Sequence, residues 1–186
     1  MNPVAIVGTN DNKIKVINPE KVLFNLSLNS IPSVLSAYKS SAHDLSENNF
    51  LFGTQLGSHG IINLDKDKVK ILYEKSLNRA EVIAMKTFDI NLDGNNEILL
   101  IRSNGDLDIF NVGNSIIDTS HLTKYQTNEI LTGFDVGKFK NNEETDIMLT
   151  SFSGLVLSLT PTYQLEEYQK KSVDKKQIVV KLILEI

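Results

Sequence analysis

Short apolar strands separated by tight turns recur along most of this chain. Several stretches alternate apolar and polar residues, a period-two pattern that is typical of half-buried β-strands. Four stretches share one shape, which is an apolar strand, a turn with Gly or Asn, and a second strand. They cover residues 5–17, 50–62, 98–110 and 147–159.

The turn residues of these four units lie at a nearly constant interval. Asn12, Gly57, Gly105 and Gly154 are 45, 48 and 49 residues apart. This period is typical of β-propeller blades, each a small four-stranded sheet, rather than of helical solenoids. A β-sandwich with accidental spacing is the alternative, and the four matched units make it the weaker interpretation.

Further strands complete the units on both sides of the hairpins. An inner strand is predicted at residues 33–38, 82–88 and 130–134, and an outer strand at residues 21–28, 68–75 and 115–120. The first hairpin aligns with the second strand of a blade, so its innermost strand is missing. The sequence therefore predicts an all-β fold, a partial propeller of about three to four four-stranded blades over residues 1–162.

The last part of the chain has a different composition. Pro161 is expected to end the last strand, because proline cannot donate a hydrogen bond to a ladder. Residues 164–186 contain neither Gly nor Pro, and a heptad seam runs through them, although two of its seven positions are polar. We predict a helix over residues 163–186 that begins a coiled coil. Its partner-binding stripe contains Val179, Leu182, Ile183 and Ile186. The β-branched residues of 178–184 make a strand the alternative.

One loop has the spacing of a calcium site. Asp89, Asn91, Asp93 and Glu97 stand at loop positions 1, 3, 5 and 9, with Gly94 at position 6. Alternate residues of a tight loop can direct their oxygens inward, and Ca²⁺ takes about six to eight oxygen ligands. The spacing is similar to the short calcium loops of integrin-like propeller repeats.

A structural turn is the interpretation that we prefer for this loop. Asn, Asp and Gly are also the residues that cap the backbone of a tight turn. The related loop of the next unit, residues 135–146, has Gly137 and Phe139 where oxygen ligands would be needed. We therefore expect no cofactor, with Ca²⁺ as the alternative.

Composition excludes several classes of function. The 186 residues carry a formal net charge of −4, with no cysteine and no long apolar run. Disulfides and zinc thiolate sites are therefore excluded, and a reducing cytosolic compartment fits best. We expect neither nucleic-acid binding nor membrane insertion, and the N-terminus does not have the pattern of a signal peptide.

Catalytic motifs are missing from the sequence. His43, His59 and His121 are far apart and fall in predicted loops or at a strand end. Ser58 precedes His59, but adjacent residues cannot face each other as nucleophile and base. We predict that the chain is not an enzyme.

The order of several short motifs resembles the Bardet–Biedl syndrome protein seven family. The motifs are Phe52-Gly53-Thr54, Thr87-Phe88-Asp89-Ile90 with Asp93-Gly94, and residues 147–159. The resemblance covers essentially the whole chain, as later blades of the propeller and the start of its coiled coil. The related protein two also has an Asp-rich blade of this kind. The family propeller has more blades, which this chain lacks.

The resemblance implies a non-catalytic scaffold or adaptor subunit of the BBSome, a coat that traffics membrane proteins to and within cilia. Its partners would be other BBSome-type subunits, contacted through the propeller and the coiled coil. The implied location is the cytoplasm, the cilium and the basal body or centriolar region. The alternative function is a calcium-dependent integrin-like propeller for adhesion or ligand binding.

Overall fold

The computed structural model describes residues 4–41, 48–65, 68–75, 79–112, 116, 119–139, 145–164 and 177–183. Within these ranges the chain forms four antiparallel sheets, of which one has three strands and three have four. This confirms the predicted all-β class. The described part of the chain contains no helix with the length and apolar character needed to span a membrane.

Each sheet is formed by consecutive strands, so we call the sheets the first to fourth blades. The first blade contains β1 (Ala5–Thr9), β2 (Lys13–Ile17) and β3 (Val22–Ser27). The second contains β4 (Pro32–Ala37), β5 (Asn49–Thr54), β6 (His59–Leu64) and β7 (Val69–Lys75). The third contains β8 (Val82–Phe88), β9 (Glu97–Arg102), β10 (Asp106–Asn111) and β11 (Ser120–Gln126). The fourth contains β12 (Leu131–Gly137), β13 (Asp146–Ser151), β14 (Val156–Gln164) and β15 (Gln177–Ile183).

The blades follow one another around a common axis. The innermost strands β4, β8 and β12 are neighbours in this order, and the second strands β5 and β9 contact the innermost strand of the following blade. β1 contacts β4 in the same way. β1 therefore holds the place of a second strand, and among the described residues the first blade has no innermost strand, as the sequence predicts.

The four turn residues predicted from the repeat all adopt left-handed backbone conformations. The φ angles are 60° for Asn12, 84° for Gly57, 89° for Gly105 and 86° for Gly154. Glycine reaches this region without strain, and Asn is among the few other residues that tolerate it. A Cβ on Gly57 would lie 2.8 Å from the carbonyl oxygen of Ala80, whereas a Cβ on Gly154 would meet nothing within 4 Å. The chain that leads into the third blade therefore covers the turn of Gly57, whereas no described residue covers the turn of Gly154.

The hydrophobic core is divided among the interfaces between blades. Paired residues of an antiparallel ladder lie on the same face, so each hairpin directs alternate residues toward the next blade. In the third blade these residues are Leu99, Ile101, Leu107 and Ile109, all buried against the fourth blade. In the fourth blade the equivalent residues are Met148, Thr150, Val156 and Ser158. The outer face of the fourth blade is therefore partly polar.

Two strand predictions are wrong. The outer strand expected at residues 115–120 lies further along the chain as β11, whose residue His121 pairs with Phe110 of β10. Pro161 does not end β14, which continues to Gln164. β13 pairs with β14 only as far as Leu159, so at Pro161 the strand has a ladder on one side only, and the missing N–H group is tolerated there.

The helix predicted over residues 163–186 is wrong for the described part of the tail. Residues 177–183 form β15, which pairs with β14 from Ser158 opposite Ile183 to Gln164 opposite Gln177. β14 offers a free edge, and the β-branched residues Ile178, Val179 and Val180 favour an extended backbone. Residues 165–176 and 184–186 lie outside the described residues.

Candidate functional site

The loop between β8 and β9 is held in shape by its own side chains. The carboxylate of Asp89 accepts hydrogen bonds from the backbone N–H groups of Asp93 (3.0 Å) and Gly94 (2.8 Å). The carboxylate of Asp93 accepts one from the backbone of Asn95 (2.8 Å) and one from the side-chain amide of Asn91 (3.0 Å). These are the local bonds that stabilise tight turns.

Glu97 closes this loop from the first residue of β9. Its two oxygens accept hydrogen bonds from the backbone N–H of Ile90 (2.9 Å) and the side chain of Asn91 (2.8 Å). Burial raises the pKa of this carboxyl group to about 7, opposed by the bond from Ile90 and reinforced by the charges of Asp93 and Asp89. Burial disfavours the charged form because little water reaches the group.

The structure brings the four predicted calcium-binding residues into one loop. All six carboxylate oxygens of Asp89, Asp93 and Glu97 already accept a hydrogen bond. Within the described ranges, no group of three or more His, Cys, Asp or Glu residues is arranged to hold a metal ion. A cation would therefore have to compete with the bonds that shape the turn.

The predicted partner-binding stripe of the tail is not presented on a helix. Val179, Leu182 and Ile183 belong to β15 and pair with Thr162, Leu159 and Ser158 of β14. Ile186 lies outside the described residues. Since a heptad seam needs helical periodicity, β15 instead completes the fourth blade as its outermost strand.

A buried ionic cluster between the second and third blades was missed by the sequence analysis. Arg102, at the end of β9, donates to Asp108 of β10 at 2.9 Å, and both side chains are fully buried. The same guanidinium donates to the carbonyl oxygens of Gly57 (2.9 Å) and Ala80 (3.2 Å). Arg102 therefore joins the hairpin turn of one blade to the chain that enters the next.

Two histidines flank this cluster. His59 is 1% exposed, with its Nδ1 atom 3.5 Å from Arg102. Burial, together with the charge of Arg102, lowers the pKa of His59 to about 4. His121 lies 3.1 Å from Asp108. Burial alone would raise the pKa of Asp108, but the hydrogen bonds from Arg102 and His121 lower it overall. His43 lies outside the described residues.

Among the side chains that the structure describes, the most exposed large apolar one lies at the hairpin turn between β13 and β14. Phe152 is 82% exposed, two residues before Gly154. The equivalent positions before the other turns hold Asn10, Gln55 and Ser103, so the turn itself does not require an aromatic residue. A lone exposed aromatic residue of this kind is a candidate contact for a protein partner.

A matching family model decides the identity of the domain. The model of the BBS7 beta-propeller matches residues 1–161. The chain belongs to this family. That match covers the four hairpins and agrees with the antiparallel blades described above.

Two curated relatives are named as BBS7 proteins. The chain is 24% identical over 163 residues to the BBSome complex member BBS7 of Mus musculus, covering 86% of this chain. It is 22% identical over 160 residues to the BBSome complex member bbs-7 of Caenorhabditis elegans, covering 85% of this chain. In both cases it spans only 22% of the length of the relative.

Solved propellers share the fold at low sequence identity. A crystal structure of BBS1N in complex with ARL6DN, soaked with lead, matches with a TM-score of 0.58 and 13% identity, covering 83% of this chain and 45% of that chain. The Saccharomyces cerevisiae Sqt1 structure matches with a TM-score of 0.62 and 11% identity, covering 84% and 44%. These likenesses show a propeller-like fold.

Proposed function

We propose that this BBS7-type chain acts as a non-catalytic scaffold or adaptor part of a BBSome-type assembly that traffics membrane proteins to and within cilia. The match of the BBS7 propeller model to residues 1–161 carries this proposal. Both curated relatives are named as members of the BBSome complex. The chain would then work in the cytoplasm, the cilium and the region of the basal body.

Protein partners are the ligands that this geometry supports best. Blades pack against one another through buried side chains and leave strand edges and turns on the surface, where other proteins can bind. The related BBS1 fragment was crystallised with ARL6DN, so a propeller of this fold does form a complex with another protein. We propose other BBSome-type subunits as partners of this chain.

The loop from Asp89 to Glu97 serves as a structural turn in this proposal. Its hydrogen bonds to its own backbone support this role, and its neighbour contacts add to it. Asn96 donates to the carbonyl oxygens of Lys39 (3.1 Å) and Ser40 (2.7 Å) of the second blade. The integrin-like alternative would need this loop to bind Ca²⁺.

Affinity purification from ciliated cells tests the scaffold role. The tagged chain should enrich BBSome subunits over a tag-only sample. The matched control is Gly60→Ala, because a Cβ at this position would lie 2.2 Å from the carbonyl oxygen of Tyr73 and would disrupt the second blade. Enrichment that persists in Gly60→Ala, or no enrichment with the unchanged chain, would contradict the proposal.

A further inference from the structure

The buried ionic cluster between the second and third blades is balanced in charge only while His59 is neutral. Both blades have all four strands, so the cluster is complete within the described residues. Arg102 and Asp108 form a fully buried ion pair, in which one positive charge meets one negative charge. A proton on His59 would add a second buried positive charge without a second carboxylate to match it.

The hydrogen bonding of His59 requires the neutral ring. Its Nδ1 atom lies 3.5 Å from Nη2 of Arg102. A guanidinium group only donates hydrogen bonds, so this contact uses the lone pair of a neutral imidazole. The Nε2 atom of His59 is buried and has no hydrogen-bond partner among the described residues. Protonation would therefore replace the contact with Arg102 by a repulsion between two buried cations.

The neighbouring strands supply more positive than negative groups around this imidazole. The charged and titratable groups on this side of them are Tyr73 and Lys75 in β7, Arg102 in β9, Asp106 and Asp108 in β10, and His121 and Lys124 in β11, with Arg79 and Glu81 in the chain that enters the third blade. Asp106 is bonded to Lys124 at 2.8 Å. Asp108 already binds Arg102 and His121. The two buried carboxylates of this interface are therefore both in use.

The pKa of His59 agrees with this geometry. Burial and then the charge of Arg102 lower this pKa to about 4, opposed in part by a bond to the backbone of Gly57 and by the charge of Asp108. Because the pKa lies below the unfolded value of 6.5, the stabilising contribution of neutral His59 is complete above pH 6.5 and is lost as pH falls toward 4. The lowered pKa of Asp108 keeps that carboxylate ionised over this range. Glu97, whose pKa is raised to about 7, favours the folded state as pH falls and does not cause the loss.

We propose that acid opens the interface between the second and third blades, while the interface between the third and fourth blades stays closed. His59 takes up the proton, and the two blades separate so that the charged ring reaches water. The two interfaces have separate buried cores, and the buried residues between the third and fourth blades are all aliphatic. Interfaces between repeats can open one at a time, since each repeat contacts mainly its neighbours. The interface that contains His59 is therefore an acid-sensitive joint in the propeller.

Two matched cysteine variants test this proposal, because the chain itself has no cysteine. Ile61 and Ile109 are both buried, and each lies four residues after a turn glycine. Ile61 belongs to the interface with His59, and Ile109 belongs to the aliphatic interface. The thiol-labelling rates of Ile61→Cys and Ile109→Cys are measured in the 186-residue chain. Each rate is divided by that of the same variant unfolded in urea at the same pH, which cancels the intrinsic reactivity of the thiol.

The protection of Ile61→Cys should fall about 20-fold between pH 7 and pH 5, the ratio expected for a group whose pKa rises from about 4 to 6.5 when the interface opens. Ile109→Cys should keep its protection over the same range. Adding His59→Leu to Ile61→Cys should remove the pH response, because Leu107 holds the equivalent position in the aliphatic interface.

Backbone amides give the same test without a substitution. The N–H of Arg79 donates to the carbonyl oxygen of Leu56 (3.2 Å), and the N–H of Thr127 donates to that of Gly105 (2.9 Å), so each joins a hairpin turn to the chain that enters the next blade. Hydrogen exchange by NMR, corrected for its intrinsic pH dependence, should show about a 20-fold larger loss of protection at Arg79 than at Thr127.

Three results would overturn the proposal. Equal losses at the matched positions would mean that acid acts on the whole fold rather than on one interface. Constant protection at Ile61→Cys and Arg79 would mean that the interface is not sensitive to acid. A pH response that survives His59→Leu would assign the sensitivity to another group.

Discussion

The interface between the second and third blades contains a buried ionic cluster, whereas the next interface is aliphatic at the same positions. His59 and Leu107 each lie two residues after a turn glycine, and Asp108 and Leu157 each lie three residues after one. The first interface places His59 beside the Arg102–Asp108 ion pair, and the second places Leu107 and Leu157 in one apolar cluster. Equivalent backbone positions can therefore hold either charged or aliphatic side chains, provided that every buried charge has a partner.

The largest expected effect comes from breaking the ion pair in the first interface. Asp108→Ala should lower the free energy of unfolding by about 3–5 kcal/mol, because it leaves the buried guanidinium of Arg102 without its carboxylate. Urea denaturation followed by circular dichroism measures this change. The double variant Arg102→Met with Asp108→Leu, which imitates the aliphatic interface, should be close to the unchanged chain. A loss below about 1 kcal/mol in the single variant would contradict this account of the cluster.

A smaller effect should appear as pH dependence in the same interface. The pKa of His59 is lowered to about 4, so the folded state loses stability as pH falls below the unfolded value of 6.5 and through 4. The difference between pH 7 and pH 4 amounts to about 3 kcal/mol. His59→Leu, which introduces the side chain found at Leu107, should remove this part of the pH dependence. Parallel stability curves for the two proteins over this range would show that His59 is not buried in its neutral form.

The smallest effect is expected for added Ca²⁺ at the loop from Asp89 to Glu97, which contacts both interfaces. Ile90 packs in the aliphatic interface, while Asn96 binds the second blade. Added Ca²⁺ should leave the melting temperature unchanged, since the oxygens of the loop already accept hydrogen bonds. A bound ion at a hundred times its dissociation constant would add about 2.7 kcal/mol, which a thermal melt detects. A calcium-dependent rise that is lost in Asp93→Ala would make Asp89, Asn91, Asp93 and Glu97 ligands.

Local signals made the hairpins predictable from the sequence. Gly57, Gly105 and Gly154 mark turns that require a positive φ, and alternation marks the strands on either side. Such features depend on neighbouring residues in the chain, so they can be inferred without knowledge of the tertiary structure. The predicted calcium-type residues came together for the same reason, because they share one short loop.

The tail and the ionic cluster depend on partners that are distant in sequence. The heptad pattern of the tail was compatible with a helix, but pairing with β14 decided the conformation of residues 177–183. Asp108 alternates with Leu107 and Ile109 and therefore looks like a solvent-facing residue of a half-buried strand. Its burial follows only from the packing of the second blade against the third. An Arg and an Asp on paired strands, opposite a His of the preceding unit, are the signal that could have revealed the cluster.

The covering of the Gly57 and Gly105 turns by the chain that leads into the next blade has a consequence for synthesis on the ribosome. The space beside Gly57 is filled by carbonyl oxygens of Arg79 and Ala80, and the space beside Gly105 by those of Thr127 and Glu129. These two hairpins therefore reach their final environment only after the chain that leads into the next blade has emerged. At about 5–20 residues per second, a blade waits several seconds for its neighbour. During translation the newest blade is always the exposed one, so nascent-chain binding factors should meet each blade in turn from the N-terminus onward.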